Sequence, residues 1–149
     1  ADFDRTQVQF YDEPSLTDGK EAHASHSRDG HPPKLALDED LRTFWEADPG
    51  SRLTVELGTS AVLERFGIES AGRILDNRRN TRVAELWVST DGSSFSRAAT
   101  LHTNGFPWAD MPVAPVRARF VQLRVPDPGA DDVIRVVAFR VFGTPARQH

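Results

Sequence analysis

Apolar and polar residues alternate with a period of two along much of this chain. In RLTVELG, Leu53, Val55 and Leu57 interleave with Thr54 and Glu56, which predicts a strand with one buried face, stopped by Gly58. Val62 to Ser70 predicts a second strand with Phe66 and Ile68 on one face. Val83 to Ser89 predicts a third, closed by the turn signal Asp91-Gly92, and Phe95 to Leu101 a fourth. Arg119 to Val125 and Val133 to Phe142 predict the last two, with Gly143 as the stop. Between them GRILDNRRNTR, TNGFPWADMPVAP and PDPGADD read as loops. No segment sustains a 3.6-residue period with caps at both ends. Short strands separated by turns predict an all-β sandwich or barrel.

The run Leu35 to Trp45, LALDEDLRTFW, breaks the pattern. It is too acidic for a buried strand and too apolar at its end for a free loop. It reads as a surface turn that enters the core at its C-terminal end, with Trp45 as the anchor, because an indole removes a large apolar area from water at one position. Asp38, Asp40 and Thr43 offer closely spaced oxygens of the kind that hold Ca²⁺, and equally the kind that cap backbone N–H groups in a turn. Upstream, residues 1–15 read as an N-terminal extension or linker, with a short strand over Phe3, Val8, Phe10 and Tyr11. The domain proper is expected over residues 16–149.

Composition narrows the classes. A chain of 149 residues suggests one domain with a sizeable core. There is no cysteine, which excludes a disulfide scaffold, thiolate catalysis and Cys-based zinc sites. No apolar run approaches the ~20 residues of a membrane span. The net charge of -4 argues against a general nucleic-acid role. No Gly-x-Ser-x-Gly, phosphate-binding glycine loop or His-Glu-x-x-His is present, so no enzymatic activity is expected.

Several short motifs run in a familiar order. Gly19-Lys20, Ala24-Ser25, Pro33, Ala36, Asp38, Asp40, Thr43 and Trp45 come first. They are followed by VELG (Val55 to Gly58), VSTDG (Val88 to Gly92), ARFVQLRV (Ala118 to Val125) and VFG (Val141 to Gly143). This order resembles the discoidin-like family, the coagulation factor V/VIII C-type domain, whose bacterial relatives serve as carbohydrate-binding modules. The resemblance implies an eight-stranded jelly-roll β-sandwich of the galactose-binding-domain-like kind, with ligand loops at one end. It also implies a structural Ca²⁺ on Asp38, Asp40 and Thr43. Two departures bear on that cation: Glu39 stands where the family turn carries glycine, and Ala138 stands where many relatives carry a ligating glutamate.

The resemblance implies that an arginine and an asparagine of the loop 72–82 hydrogen-bond sugar hydroxyls. Arg73 matches the arginine; Asn80 matches the asparagine, with Asn77 the alternative. A guanidinium is a fixed fork of donors, and a side-chain amide donates and accepts at once, which suits vicinal hydroxyls. Arg78, Arg79 and Arg82 add positive charge suited to a carboxylate, sulfate or phosphate on the glycan. The alternative is a solvated basic loop. Trp108 either stacks on a sugar, inserts into a membrane surface or plugs the core, whereas Phe106 is expected in the core. Trp87 reads as structural. His23 and His26 would lie on opposite faces of an extended segment, so a shared metal is not expected. His26 and Glu46 are further candidates for the ligand.

The expected function is that of a non-catalytic carbohydrate-binding module, secreted or extracellular. Its partners would be a glycan or polysaccharide and a catalytic domain in the same parent chain. The rivals are a membrane- or protein-binding adhesion module and a structural accessory domain with no ligand.

Overall fold

The structure is a computed structural model and describes residues 11–75, 80–130 and 132–145, without the side chain of Arg73. The described residues contain seven strands: β1 (Ala22–Ala24), β2 (Trp45–Ala47), β3 (Arg52–Ser70), β4 (Val83–Ser89), β5 (Ser96–His102), β6 (Trp108–Asp127) and β7 (Ile134–Pro145). Two 3-10 turns, Pro33–Ala36 and Ala71–Arg73, are the short helical elements beside them. The strands hydrogen-bond in the order β2-β7-β3-β6-β4-β5, with β1 also on β3, and all pairs are antiparallel.

One continuous ribbon folds into a sandwich because β3 and β6 each serve in both layers. The first half of β3 lies between β1 and the second half of β6. Its second half lies between β7 and the first half of β6. The crossing point is the register shift between Glu56 and Ala61. Gly58, expected to stop the strand, sits in that shift at φ 83°, a backbone state open to glycine at little cost. The chain bends there and continues.

The long loop expected over 103–115 is also shorter than the sequence reads. β6 starts at Trp108 and carries Pro112 and Pro115 within it. In that half β6 pairs with β3 alone, since β4 joins only from Phe120 onward. A proline without an N–H is tolerated on such an edge.

Between the layers lie Trp45, Phe66, Phe139, Leu53, Leu63, Ile68, Leu86, Leu123 and Ile134, all fully buried. Bulges keep the apolar faces in phase. Val137 is the extra residue of β7 between the pairs Ser70–Val136 and Glu69–Ala138, so Val136 and Phe139 both face the core. The indole N–H of Trp45 donates to the His26 carbonyl at 3.2 Å and to Ser27 Oγ at 3.0 Å, so the anchor also fixes the segment before it. On the outer face of the other layer, the Arg124 guanidinium stacks 3.6 Å above the Trp87 ring, whose N–H donates to Glu85 at 3.0 Å.

The outer face of the β7-β3-β6 layer carries charge that the chain's own N-terminal part covers. Tyr11 donates to the buried Glu69. Arg65 reaches Glu13 at 2.8 Å and Asp110 at 3.1 Å. Ser15 Oγ donates to the Val141 carbonyl at 3.2 Å. Thus Tyr11, Glu13 and Ser15 of the expected extension lie against the sheet. The strand expected over Phe3 to Tyr11 falls outside the described residues except for Tyr11, whose backbone is helical.

Candidate functional site

Five segments meet at one end of the sandwich: the link 25–31 after β1, β2 itself, the loop 71–82, the loop 103–107 and the turn 127–133. β2 is held by β7, with Glu46 opposite Arg135. The preceding link is tied to it by Arg28 N–H to the Glu46 carbonyl at 2.8 Å and Glu46 N–H to the His31 carbonyl at 3.3 Å. His31 stacks on Phe44 at 4.5 Å between centroids, and Phe44 packs on Ala71 and Val137. That contact brings the start of the loop 71–82 against the Trp45 segment.

The two following loops are bolted together. Asn80 Nδ2 donates to the Gly105 carbonyl at 2.9 Å. Thr103 Oγ1 donates to the Thr81 carbonyl at 2.6 Å, and Ser70 N–H to the Pro107 carbonyl at 2.7 Å. Arg82 N–H donates to the Asp127 carbonyl at 2.9 Å, which adds the last turn. Gly72 makes room for this: a Cβ there would lie 1.7 Å from Asn80 Oδ1. Any side chain at position 72 would displace the Asn80 amide that holds the Gly105 carbonyl.

The expected site residues are distributed as follows. Glu46 is part of the cluster, but its carboxylate is engaged by Arg135 Nε at 2.8 Å in a pair that is largely buried, with side chains 15% and 7% exposed. His26 is at the rim and half exposed, with Nε2 3.3 Å from Asp48. Arg28 pairs with the same Asp48 at 2.9 Å. Asn80 is buried between the loops, and its Oδ1 has no hydrogen-bond partner among the described residues. Arg73 closes the 3-10 turn 71–73; its side chain, Asn77, Arg78 and Arg79 lie outside the described residues. Arg82 is exposed and lines a shallow groove with Val83, His102, Asn104 and Gly105. Trp108 is not in a loop. It opens β6 opposite Glu69 and packs with Tyr11, Ala138 and Phe142 on the outer face of the sheet. Phe106, expected in the core, is 64% exposed.

Sequence reasoning missed Arg135. Its signal was a single arginine between Val133-Ile134 and Val136-Val137, a charge inside an apolar strand that needs a buried partner.

The acidic turn does not fit a Ca²⁺ ion as it is arranged. Asp38 Oδ1 accepts from the Asp40 N–H at 3.0 Å, and Oδ2 from Thr43 Oγ1 at 2.6 Å. Asp40 Oδ1 accepts from the Arg42 N–H at 2.9 Å and from Arg42 Nε at 3.1 Å. The Arg42 side-chain hydrogen bond holds the Asp40 carboxyl below its ordinary value, with the Arg42 backbone N–H contributing. Ala138 adds no oxygen. No group of three acidic or histidine side chains able to hold a metal occurs among the described residues.

Known proteins resemble this chain in fold. The CBM32-5 module from Clostridium perfringens, solved with GalNAc-β-1,3-galactose, shares 21% identity at a TM-score of 0.78, covering 87% of this chain and 100% of that one. Chitosan-binding module 1 from the chitosanase/glucanase of Paenibacillus sp. IK-5 shares 20% identity at a TM-score of 0.75, with 88% and 100% covered. A family 89 glycoside hydrolase from Clostridium perfringens shares 22% at 0.73, covering 88% of this chain but 15% of that longer one. These relatives are carbohydrate-binding modules or enzymes that contain a domain of this fold. No curated protein sequence matches. The F5/8 type C domain model matches residues 21–137, which runs from β1 into the start of β7 and takes in the loop cluster and the acidic turn, and the chain belongs to the F5/8 type C domain family.

Proposed function

We propose that this domain is a non-catalytic carbohydrate-binding module, carried outside the cell as part of a glycan-active enzyme and holding that enzyme at its substrate. The observation that carries this reading is the end of the sandwich where Asn80 ties the loop 103–107 through the Gly105 carbonyl and Arg135 holds Glu46 on β2. A rigid, shallow, polar rim suits a sugar, which offers hydroxyls rather than a large apolar body. The named ligands of the relatives, GalNAc-β-1,3-galactose and chitosan, are of this class. Binding would be weak per site, because an exposed rim desolvates few contacts. A glycan array that includes those two saccharides tests the reading. A chain that retains none of the glycans sinks it.

One observation favours a second reading, a membrane-adhesion module. Ile74, Leu75 and Phe106 are exposed, at 37%, 42% and 64%, on the two linked loops. Against it, the net charge of -4 opposes approach to an anionic surface. The groove beside Phe106 is lined by Arg82, His102 and Asn104 together with Val83 and Gly105, so three of its five residues carry polar side chains. Vesicles containing phosphatidylserine separate the two readings.

A further inference from the structure

We infer that Phe106 is the aromatic platform of the binding site, against which one face of a pyranose ring lies. The inference rests on the carbohydrate reading above and adds to it a residue, a loop and a contact type.

The exposure of Phe106 needs a cause. Burying a phenylalanine ring stabilises a fold by about 1.5–3 kcal/mol, and an unconstrained loop would fold the ring inward. This loop is constrained. Phe106 N–H donates to the Thr103 carbonyl at 3.1 Å, and Gly105 N–H donates to Thr103 Oγ1 at 3.2 Å. Asn80 Nδ2 holds the Gly105 carbonyl from one side, and Ser70 N–H holds the Pro107 carbonyl from the other. Asn104 and Gly105 both take positive φ, 57° and 81°, to make the turn. For a non-glycine residue that is an uncommon state, sustained only when the surroundings over-determine it. The backbone on both sides of Phe106 is therefore fixed, and the ring is held outward.

The surroundings suit a sugar. A pyranose has an apolar face of C–H groups and an equatorial edge of hydroxyls. Phe106 supplies an apolar plane at the chain's most exposed large hydrophobic position among the described residues. Next to it in sequence, Asn104 and Gly105 line a groove with Arg82, Val83 and His102, whose polar side chains supply planar donors and acceptors for hydroxyls. The turn 127–133, another loop at this end, contains no aromatic residue, and neither does the loop 71–82. Within these three loops Phe106 is thus the ring a sugar can meet.

The test compares the 149-residue chain with Phe106→Ala, Phe106→Tyr and Phe106→Trp. The probes are GalNAc-β-1,3-galactose, chitosan oligosaccharide and phosphatidylserine-containing vesicles, read by calorimetry and co-sedimentation. Each variant is first checked to melt like the parent, as expected for a side chain mostly in water. The expected result is a roughly three- to tenfold loss of saccharide affinity in Phe106→Ala, the scale of one ring contact. Phe106→Tyr and Phe106→Trp should retain the affinity, and the Phe106→Trp emission should shift on titration with saccharide. If the parent binds a saccharide and Phe106→Ala binds it equally, the platform is refuted while the carbohydrate reading stands. If no saccharide binds and vesicle binding is lost in Phe106→Ala, both fall and the ring is a membrane contact. Binding of neither probe overturns both.

Discussion

Arg140 donates to Asp18 at 3.0 Å from the same outer face of β7 as Ala138. Its guanidinium, 5% exposed, also lies 3.7 Å from Glu39 and donates to the Glu13 carbonyl at 3.0 Å. Ala36, Leu37, Glu39, Ala138 and Arg140 line one small cavity with Asp18. A covalently attached cation thus stands between the acidic turn and β7. It joins the same elements that a bound ion would join, and it would repel a divalent cation placed beside it.

The first prediction follows from that pairing. Thermal melts in millimolar Ca²⁺ and in chelator should coincide. A stabilising site held at 100 times its dissociation constant would add about 2.7 kcal/mol, or roughly 5–11 °C for a chain of this size. A shift of that scale would mean that the acidic turn rearranges to take the ion. Arg140→Met should itself destabilise, by roughly 1.5–3 kcal/mol for the charged hydrogen bonds lost, and added Ca²⁺ should not restore it.

A second prediction concerns the pair beneath the site. Glu46→Ala leaves Arg135 without its carboxylate in a largely dry position, so stability should fall by about 3–5 kcal/mol in urea unfolding. Replacing both, Glu46→Leu with Arg135→Leu, should recover much of that loss, because the uncompensated charge is gone. A double variant as unstable as the single one would show that shape, not charge, decides this position.

How much of this was legible in sequence depends on how local each cause is. β4 and β5 were found to within a residue: β4 alternates between the core and a wetter face, and the turn signal Asp91-Gly92 separates the two strands. The continuity of β3 was not, since Gly58 looks the same whether it ends a strand or bends one. The first half of β6 was hidden by Pro112 and Pro115, whose tolerance depends on β6 being an edge there, a fact of tertiary pairing. β1 and β2 are three residues each, too short for any period. Among site residues, the Trp45 anchor and its neighbour Glu46 were readable from one stretch. Arg135 pairs with Glu46 across 89 residues, and only the register of β2 on β7 brings them together. Phe106 was misplaced because aromatic character argues for burial, whereas its exposure is set by backbone hydrogen bonds that composition does not encode.

A third prediction is a pH window. The Asp91 carboxylate accepts from the Ser94 and Ser93 N–H groups at 2.9 and 2.8 Å and from Ser89 Oγ at 2.9 Å. These bonds lower its pKa from 3.8 to about 2, the Ser94 bond most. A carboxyl whose folded value is depressed stabilises the fold above its unfolded value, and the gain is lost as pH falls through the folded one. The turn between β4 and β5 should therefore weaken from about pH 4 down to 2. Carboxyl NMR should find Asp91 titrating near 2, and Asp91→Asn should flatten the melting curve's dependence on pH across that window. An Asp91 that titrates at the ordinary carboxylate value would mean the turn does not hold its carboxylate in solution.

The last prediction concerns Arg73 and charge. If the domain binds a glycan at this end, the guanidinium at the foot of the loop 71–82 is its main hydrogen-bond donor. Its backbone is fixed in the 3-10 turn that follows β3, which positions the base of the side chain whatever ligand arrives. Losing one partner of a charge-assisted hydrogen bond costs roughly 1.5–3 kcal/mol, which is about tenfold to a hundredfold in affinity. In a weak site, Arg73→Ala should thus fall below detection by calorimetry. The arginines that follow it make a separate claim. Arg78, Arg79 and Arg82 concentrate positive charge in one loop of a chain whose net charge is -4. Their contribution should be a local field that favours carboxylated or sulfated glycans. Arg82→Ala should weaken acidic glycans more than neutral ones, and raising salt from about 0.05 to about 0.5 M should narrow that preference, since screening shortens the reach of exposed charge. Equal binding of acidic and neutral glycans at low salt would remove the electrostatic claim. Unchanged binding in Arg73→Ala would move the site away from Arg73, to the groove lined by Arg82, His102 and Asn104 beside Phe106, where the Phe106→Ala variant then decides.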